Sequence, residues 1–352
     1  MIVKKIFPKI QSIIDKSKLG KKGILAFDLG SYSIKIAEVQ IIKGEPILTN
    51  FVRGRTYKNV IINGIINDFQ YLLSNIQNVL DVFRSNTKIV NLSLPYDLVI
   101  FDSFKSPHIP SEEEIKTKIN DEIPYKIEDV YYSYYIIPKK DFYQIFYLVA
   151  KKEIIEQYET LIKTLEYQAN NIDADFVNLH NLIEAIYGEK TKVIIDWGDS
   201  KIKLLFCEKE VPIYSRELFN LGIKNLRKDI IKNLKVDVDI AEALIVNPER
   251  DNYPEVKKIY KNYIKEVLEE LETTIKFVTG KFNLTIENIF LVGGGANIPN
   301  IDEIFSDSLK INTQIIDLKK LIKFSDNFDP DYTKIVKTQG AIAVATAMRD
   351  FL

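Results

Sequence analysis

The chain of 352 residues has a single cysteine, Cys207, and only two histidines, His108 and His180. An internal disulfide framework is therefore excluded, and no cluster of thiols and imidazoles exists to hold zinc. Charge of one sign is also missing: 48 Lys and Arg against 49 Asp and Glu give a net charge of −1. Such a balance leaves no broad basic surface for nucleic acid. No apolar run approaches the roughly 20 residues needed to span a bilayer, and the N-terminus lacks a continuous signal-peptide core. What remains is the composition of a cytoplasmic globular protein, 46% hydrophobic and long enough to divide into two or more lobes.

The first 22 residues mix Ile2, Val3, Ile6, Phe7, Ile10, Ile13 and Ile14 with Lys4, Lys5, Lys9, Lys16 and Lys18. A basic amphipathic helix lying in a membrane interface fits that mixture, but Pro8 would interrupt it, and an ordinary N-terminal extension is the alternative.

Beyond this segment, strands and helices alternate. Ile24 to Phe27, Ile34 to Val39 and the stretch from Pro46 read as three strands in a meander. A helix from Asp68 and a strand from Lys88 follow. The stretch 97–167 then reads as a compact inserted module. It has a strand from Asp97, a short helix opened by Ser111 and Glu114 at capping-box spacing, and two Tyr- and Phe-rich strands. A long amphipathic helix from Lys151 to about Gln168 closes it. The aromatic residues there read as strand-face packing rather than as a platform for stacking bases.

The second half opens on a repetition. Asp28, Gly30, Ile34 and Lys35 recur as Asp196, Gly198, Ile202 and Lys203, all offset by 168. Each set follows an apolar strand, turns through glycine and resumes as an alternating strand, so the chain reads as duplicated. In such a turn, backbone N–H groups freed from strand pairing converge on an anion, and small residues permit close approach. Two carboxylates would repel a phosphate unless a cation intervened. Magnesium, which takes few protein carboxylates and keeps its waters, suits Asp28 and Asp196. Lys35 would meet a phosphate oxygen as a point charge. The alternative for either aspartate is simple turn-making.

A third element, "NIFLVGGGANIPNIDEIF", runs from a strand into Gly293, Gly294 and Gly295 and then into a helix beginning near Asn297. A flat ligand could lie on that backbone. A tight strand-to-helix connection, the plainer reading, needs one glycine rather than three.

In chain order, these three segments resemble the first phosphate loop, second phosphate loop and adenosine motif of the actin, Hsp70 and sugar-kinase superfamily. Within it, the chain is similar to the PilM family of type IV pilus inner-membrane platform proteins over nearly its whole length. The acidic helix, Glu122, Ile123, Pro124 and Tyr-rich strand of the insert carry that likeness, as do "VAKKEIIEQYETLIKTLEYQANNIDAD" and the closing "TQGAIAVATAMR".

The resemblance implies an α/β fold of two RNase H-like, actin-like lobes with an FtsA/PilM-type inserted α+β subdomain. The first lobe would comprise 23–96, 168–190 and 332–352, and the insert 97–167. The second lobe would be 191–331, with a smaller part at about 236–286. It further implies Mg2+ and ATP, or ADP, as cofactors. The first loop would use Ser31, Tyr32, Ser33 and Lys35. The second would use Gly198, Asp199 and Ser200, with Gly222 near the phosphates, Glu242 on the ribose, and Gly294 and Gly295 beside the adenosine. Asp28 and Asp196 remain the metal residues. Where the family has Ala-Glu, two residues and Lys, this chain has Ala241 to Ile245, so Ile245 replaces the lysine.

As partners, the resemblance implies the cytoplasmic N-terminal peptide of the membrane protein PilN, docked near the first lobe and insert. Other platform and motor proteins, self-association and a peripheral place on the inner membrane are implied with it. No residue that activates water is recognisable, so nucleotide is expected to act as a brace, with slow hydrolysis at most. An FtsA-like division tether is the alternative of the same fold, disfavoured because no C-terminal amphipathic anchor follows "AMRDFL". A small-molecule kinase would need a positioned base and a sugar lobe that the Tyr-rich insert does not offer. The "TGKF" at Thr279 lacks the upstream glycine and following hydroxyl of a P-loop.

Overall fold

The computed structural model describes residues 11–12, 23–249, 253–326, 328 and 330–352, so the expected N-terminal amphipathic segment lies outside the described residues except for Gln11 and Ser12. Two compact units are present. One comprises the described residues up to Ile186 with Lys319–Thr333 and Ile342–Leu352. The other comprises Tyr187–Leu318 and Lys334–Ala341.

The first unit begins with β1 (Gln11–Ser12), β2 (Ile24–Leu29), β3 (Ser33–Ile42) and β4 (Glu45–Arg55). A two-residue hairpin follows, β5 (Ile61–Ile62) and β6 (Ile65–Ile66), and then α1 (Phe69–Val82) and β7 (Ile89–Leu94). Asp68 caps α1 by accepting the Tyr71 N–H at 3.0 Å. The β2 and β7 segments are apolar almost throughout and buried on both faces, as parallel central strands require. The β5–β6 hairpin turns at Asn63 and Gly64, both at positive φ, which is the Asn-Gly turn that suits strand twist.

The insert contributes β8 (Val99–Ser106), α2 (Glu112–Glu122), β9 (Val130–Pro138), β10 (Tyr143–Lys151) and α3 (Lys152–Thr164). Its antiparallel sheet has the order β8-β10-β9. Ile115, Ile119 and Ile123 lay α2 against one face, on Ile145, Tyr147 and Val149. On the other face Phe146 stacks with Phe101 and Tyr135, at ring separations of 6.1 and 5.0 Å. The aromatic residues thus pack on one another. The capping box of α2 is complete: Ser111 accepts the Glu114 N–H, and Glu114 accepts the Ser111 N–H at 2.7 Å. That backbone hydrogen bond, with help from His108 and the Ser111 hydroxyl, lowers the Glu114 pKa to about 2. The tip of the β5–β6 hairpin is tied to α3 by the Tyr158 hydroxyl, which donates to the Gly64 carbonyl at 2.8 Å.

The helix expected to reach Gln168 stops at Thr164, because Glu166 enters the left-handed region at φ 60°. Gln168 then opens a strand, β11 (Gln168–Ala174), parallel to β7. Its sequence, QANNIDA, does not read as a strand because its two central residues are asparagines. α4 (Asp175–Tyr187) follows.

The second unit holds β12 (Lys192–Trp197), β13 (Lys201–Glu208), β14 (Val211–Phe219), α5 (Ile223–Leu234), α6 (Val238–Val246) and α7 (Glu255–Phe282). β15 (Asn288–Gly293), α8 (Ile301–Leu309) and β16 (Asn312–Ile315) complete its sheet layer. The helix expected near Asn297 is preceded by a short 3-10 turn over Gly294–Asn297 and begins at Ile301. The chain then runs through β17 (Lys323–Phe324), α9 (Pro330–Thr338) and α10 (Ala341–Met348).

Residues 319–331, expected in the second lobe, return to the first unit, because β17 pairs in parallel with β4 at Ile47 and Leu48. An exposed ion pair between Lys323 and Glu45 lies beside this pairing. Residues 334–341 belong to the second unit, where Thr338 donates to Asn297 at 2.9 Å.

The end of α10 is locked into the first unit by charge. Arg349, 1% exposed, donates to Asp173 at 2.6 Å. Asp350 accepts from the amides of Asn91, Asn170 and Asn171 at 2.8 to 3.0 Å. These bonds explain the polar, buried sequence of β11: its asparagines satisfy a carboxylate from the far end of the chain.

Candidate functional site

Each unit carries a five-strand sheet segment of the same topology. β4-β3-β2-β7-β11 in the first unit and β14-β13-β12-β15-β16 in the second both run antiparallel, antiparallel, parallel, parallel. The repetition at offset 168 is therefore a repetition of structure. Asp28 lies directly across from Lys35, and Asp196 directly across from Lys203. The Gly30 N–H donates to the Ser33 carbonyl at 3.2 Å, and the Gly198 N–H donates to the Lys201 carbonyl at 3.0 Å. The turns are built identically because each tight reversal needs the same closing bond beside a residue that leaves room.

The electrostatics of the two hairpins differ. In the first, Lys35 Nζ sits 2.9 Å from Asp28 Oδ2. One register row across the sheet holds Arg53, Lys35, Asp28, Ser93 and Asp173. Ser93 Oγ is buried without a hydrogen-bond partner among the described residues. Arg53 and Arg55 both approach the Tyr32 ring, at 5.9 and 5.2 Å, and Arg55 donates to the Tyr32 hydroxyl at 3.2 Å. No motif in the sequence marks these two arginines as part of the hairpin site. What the sequence carries is the alternation Arg53-Gly54-Arg55. Gly54 packs so closely against Val79 of α1 that a β-carbon would lie 2.2 Å from Val79 Cγ2, so the flanking arginines share the opposite face. Ser31 is exposed, Tyr32 half-buried and Ser33 buried.

In the second hairpin, Lys203 Nζ lies 3.8 Å from Asp196 Oδ2, and Lys201 is paired with Glu217 at 2.7 Å. Asp199 is held by Arg227 at 2.7 Å, and Arg227 also reaches Glu242 at 3.3 Å. Asp199, Arg227 and Glu242 thus form one chain of charge from the hairpin turn to α6. Burial raises the Glu242 pKa. Ser200 is exposed. Ile245 is buried, and its carbonyl accepts from the Tyr260 hydroxyl at 2.5 Å. Its side chain is part of the core of the second unit.

The glycines divide by cause. Gly222 lies against the hairpin turn itself: a β-carbon there would come within 2.2 Å of the Asp199 carbonyl oxygen and 2.3 Å of the Ser200 carbonyl carbon. The N–H groups of Ile223 and Lys224, opening α5, donate to the Gly198 and Asp199 carbonyls. Gly293 has φ 87° and lies beside Asp196 Oδ1. Gly295 backs onto the Trp197 indole, where a β-carbon would fall 2.1 Å from the ring. Trp197 in turn stacks on Phe305 and donates to the Leu221 carbonyl at 3.0 Å. Gly294 alone of the three has ordinary van der Waals room. Packing therefore accounts for Gly293 and Gly295 without a ligand.

Duplicated α/β sheets, each with an acidic hairpin turn between its first two strands, define an actin-like ATPase fold. Residues 26–351 match the family described as "Type IV pilus assembly protein PilM", and the chain belongs to that family. Among solved structures it is similar to the PilM-PilN type IV pilus biogenesis complex, with a TM-score of 0.78 at 18% identity, over 94% of this chain and 98% of that one. It is also similar to the ethanolamine utilization protein EutJ of Carboxydothermus hydrogenoformans, with a TM-score of 0.52 at 13% identity, over 92% and 89% of the two chains. No curated protein matches by sequence. No helix among the described residues is long and apolar enough to cross a membrane.

Proposed function

We propose that this type IV pilus assembly protein is a nucleotide-braced adaptor: it binds Mg-ATP or Mg-ADP and docks the cytoplasmic N-terminal peptide of PilN. The observation that carries the nucleotide reading is the matched pair of hairpins, each with a carboxylate, a cross-strand lysine and the same turn-closing bond. Asp28 and Asp196 are the magnesium residues. Lys35, supported by Arg53 and Arg55, supplies positive charge for the phosphates, and the turn residues Ser31, Tyr32, Ser33, Gly198 and Ser200 line their path. Asp199 acts through Arg227, which also positions Glu242 for the ribose. Gly294, where a β-carbon would sit at ordinary contact distance from Ile223 and the Trp197 carbonyl, is the glycine assigned to the adenosine.

The described residues hold no group of three or more His, Cys, Asp or Glu suited to a metal. Two carboxylates alone make a weak site, so the metal is expected to arrive with its phosphates and waters. Magnesium by itself is then expected to leave the melting temperature unchanged. Mg-ATP at a hundredfold excess over its Kd stabilises by about 2.7 kcal/mol, and Asp28→Ala or Asp196→Ala abolishes that stabilisation, read against each variant's own unliganded melting temperature, which falls for Asp28→Ala because the part-buried Lys35 loses its partner. A thermal-shift series checks this. An undiminished Mg-ATP shift in both variants removes the nucleotide site as assigned.

The peptide reading rests on family membership and on the similarity to a PilM-PilN complex. The peptide is recognised in a groove near the first lobe and the insert. PilN brings the protein to the inner-membrane face, and nucleotide tunes its contacts with platform and motor proteins. Calorimetric titration of the peptide with and without Mg-ATP is expected to give different affinities, since coupling requires that each ligand discriminate between states. Equal affinities remove the coupling and leave the docking.

A further inference from the structure

One buried side chain of the first unit is left without a partner beside the acidic hairpin. A parallel strand covered on both faces is expected to be apolar, and β15, which holds the matching place in the second unit's sheet, sets Val292 beside Asp196. β7 sets Ser93 beside Asp28 instead. Ser93 is 2% exposed, and its Oγ is closed to solvent and has no hydrogen-bond partner among the described residues. Asn91, the other polar residue of β7, donates to Thr346 and Asp350. A buried hydroxyl left unpaired is unfavourable, so alanine or valine at residue 93 would serve the unliganded fold at least as well.

Two carboxylates flank that hydroxyl in its register row, Asp28 on β2 and Asp173 on β11. Paired residues of neighbouring strands, about 4.8 Å apart, stand on the same face. The two carboxylates differ in how firmly they are held. Asp173 is fixed by Arg349, and both of those side chains are almost wholly buried. Asp28 is paired at 2.9 Å with Lys35, a single ammonium on a flexible stem, and these two side chains reach solvent at 13% and 14% exposure. In the nucleotide reading Lys35 is also the cation that meets the phosphates, so bound phosphates compete with Asp28 for it.

We propose that Ser93 is a positioning residue for Asp28: as phosphates draw Lys35 away, the Ser93 hydroxyl donates to the Asp28 carboxylate and holds it for the metal. This rests on the nucleotide reading given above. Rotation of two short side chains makes the exchange, with no movement of the strands. A hydroxyl that is unfavourable in the unliganded protein becomes satisfied in the bound form, and carboxylates that serve a metal are themselves oriented by such hydrogen bonds. The second hairpin lacks the device, because Val292 carries no side-chain donor and Lys203 already stands 3.8 Å from Asp196. The two acidic hairpins, alike in backbone, are therefore unequal: only Asp28 has an alternative partner waiting on the next strand.

Thermal melting of the full chain tests the exchange without any ligand. Ser93→Ala in the otherwise wild-type protein is expected to leave the melting temperature unchanged or raised, because the hydroxyl has no partner to lose. In a Lys35→Met background, where Asp28 has lost its lysine, the same replacement is expected to lower it. Calorimetric titration with ATP then reads the metal: the ratio of affinity in magnesium to affinity in EDTA is expected to fall about tenfold in Ser93→Ala and to keep its wild-type value in Ser93→Thr, which retains a hydroxyl. A Ser93→Ala effect on melting that is the same with and without Lys35 overturns the proposal, as does a Ser93→Thr that loses the ratio as alanine does. A wild type whose ATP affinity ignores magnesium removes the nucleotide reading and this role with it. A magnesium-dependent wild type matched by Ser93→Ala removes the role of Ser93 alone.

Discussion

Replacing Arg349 by methionine is expected to destabilise the protein by about 3–5 kcal/mol, because it strips a buried carboxylate of its guanidinium partner. Arg349 and Asp173 lie 2.6 Å apart with side chains 1% and 3% exposed, so water cannot take over the lost interaction. The pair joins the last turn of the chain to β11, a strand already occupied with polar residues, and its loss also loosens Asp350 from Asn91, Asn170 and Asn171. Urea unfolding of the full chain reads the effect as a fall in midpoint. The double replacement Arg349→Met with Asp173→Leu is expected to recover most of the loss, since removing both charges leaves none uncompensated. A double variant no more stable than the single one would show that shape at residue 349, and not charge, holds α10 in place.

The substitution Gly222→Ala is expected to cost about 1–3 kcal/mol from overpacking alone. The added carbon would meet backbone atoms of Asp199, Ser200 and Lys201 within 2.5 Å, and backbone cannot rotate aside as a flexible side chain can. The second hairpin must shift, and with it the turn bond from Gly198 to Lys201, so the Mg-ATP stabilisation is expected to fall along with the midpoint. Gly280→Ala is the matched control. Gly280 sits in α7 with nothing within 4 Å of a β-carbon, and alanine there is expected to stabilise by up to about 1 kcal/mol. If Gly222→Ala behaved like Gly280→Ala, the close approach of α5 to the hairpin would be refuted.

Much of the architecture is legible in the sequence because it is encoded locally. An apolar run ending in Asp-x-Gly and resuming as an alternating strand specifies a hairpin by itself, and its recurrence at offset 168 announces a duplicated sheet. The capping box at Ser111 and Glu114 and the N-cap at Asp68 fix helix starts through residues three apart. Asn63-Gly64 is an equally local hairpin signal, with both residues at positive φ.

Tertiary structure alone decided the rest. Gln168–Ala174 is a strand because Asp350 and Arg349, some 180 residues away in sequence, satisfy its asparagines and Asp173; no window around residue 170 contains those partners. Gly222 and Gly295 are fixed by the backbone of 199–201 and the ring of Trp197, which meet them only in the folded unit. Arg53 and Arg55 become part of the first hairpin through strand register, and Asp199 is claimed by Arg227 from the next helix. A side chain's neighbours along the chain set its local conformation, but the steric and electrostatic demands on it come from atoms that only folding brings near.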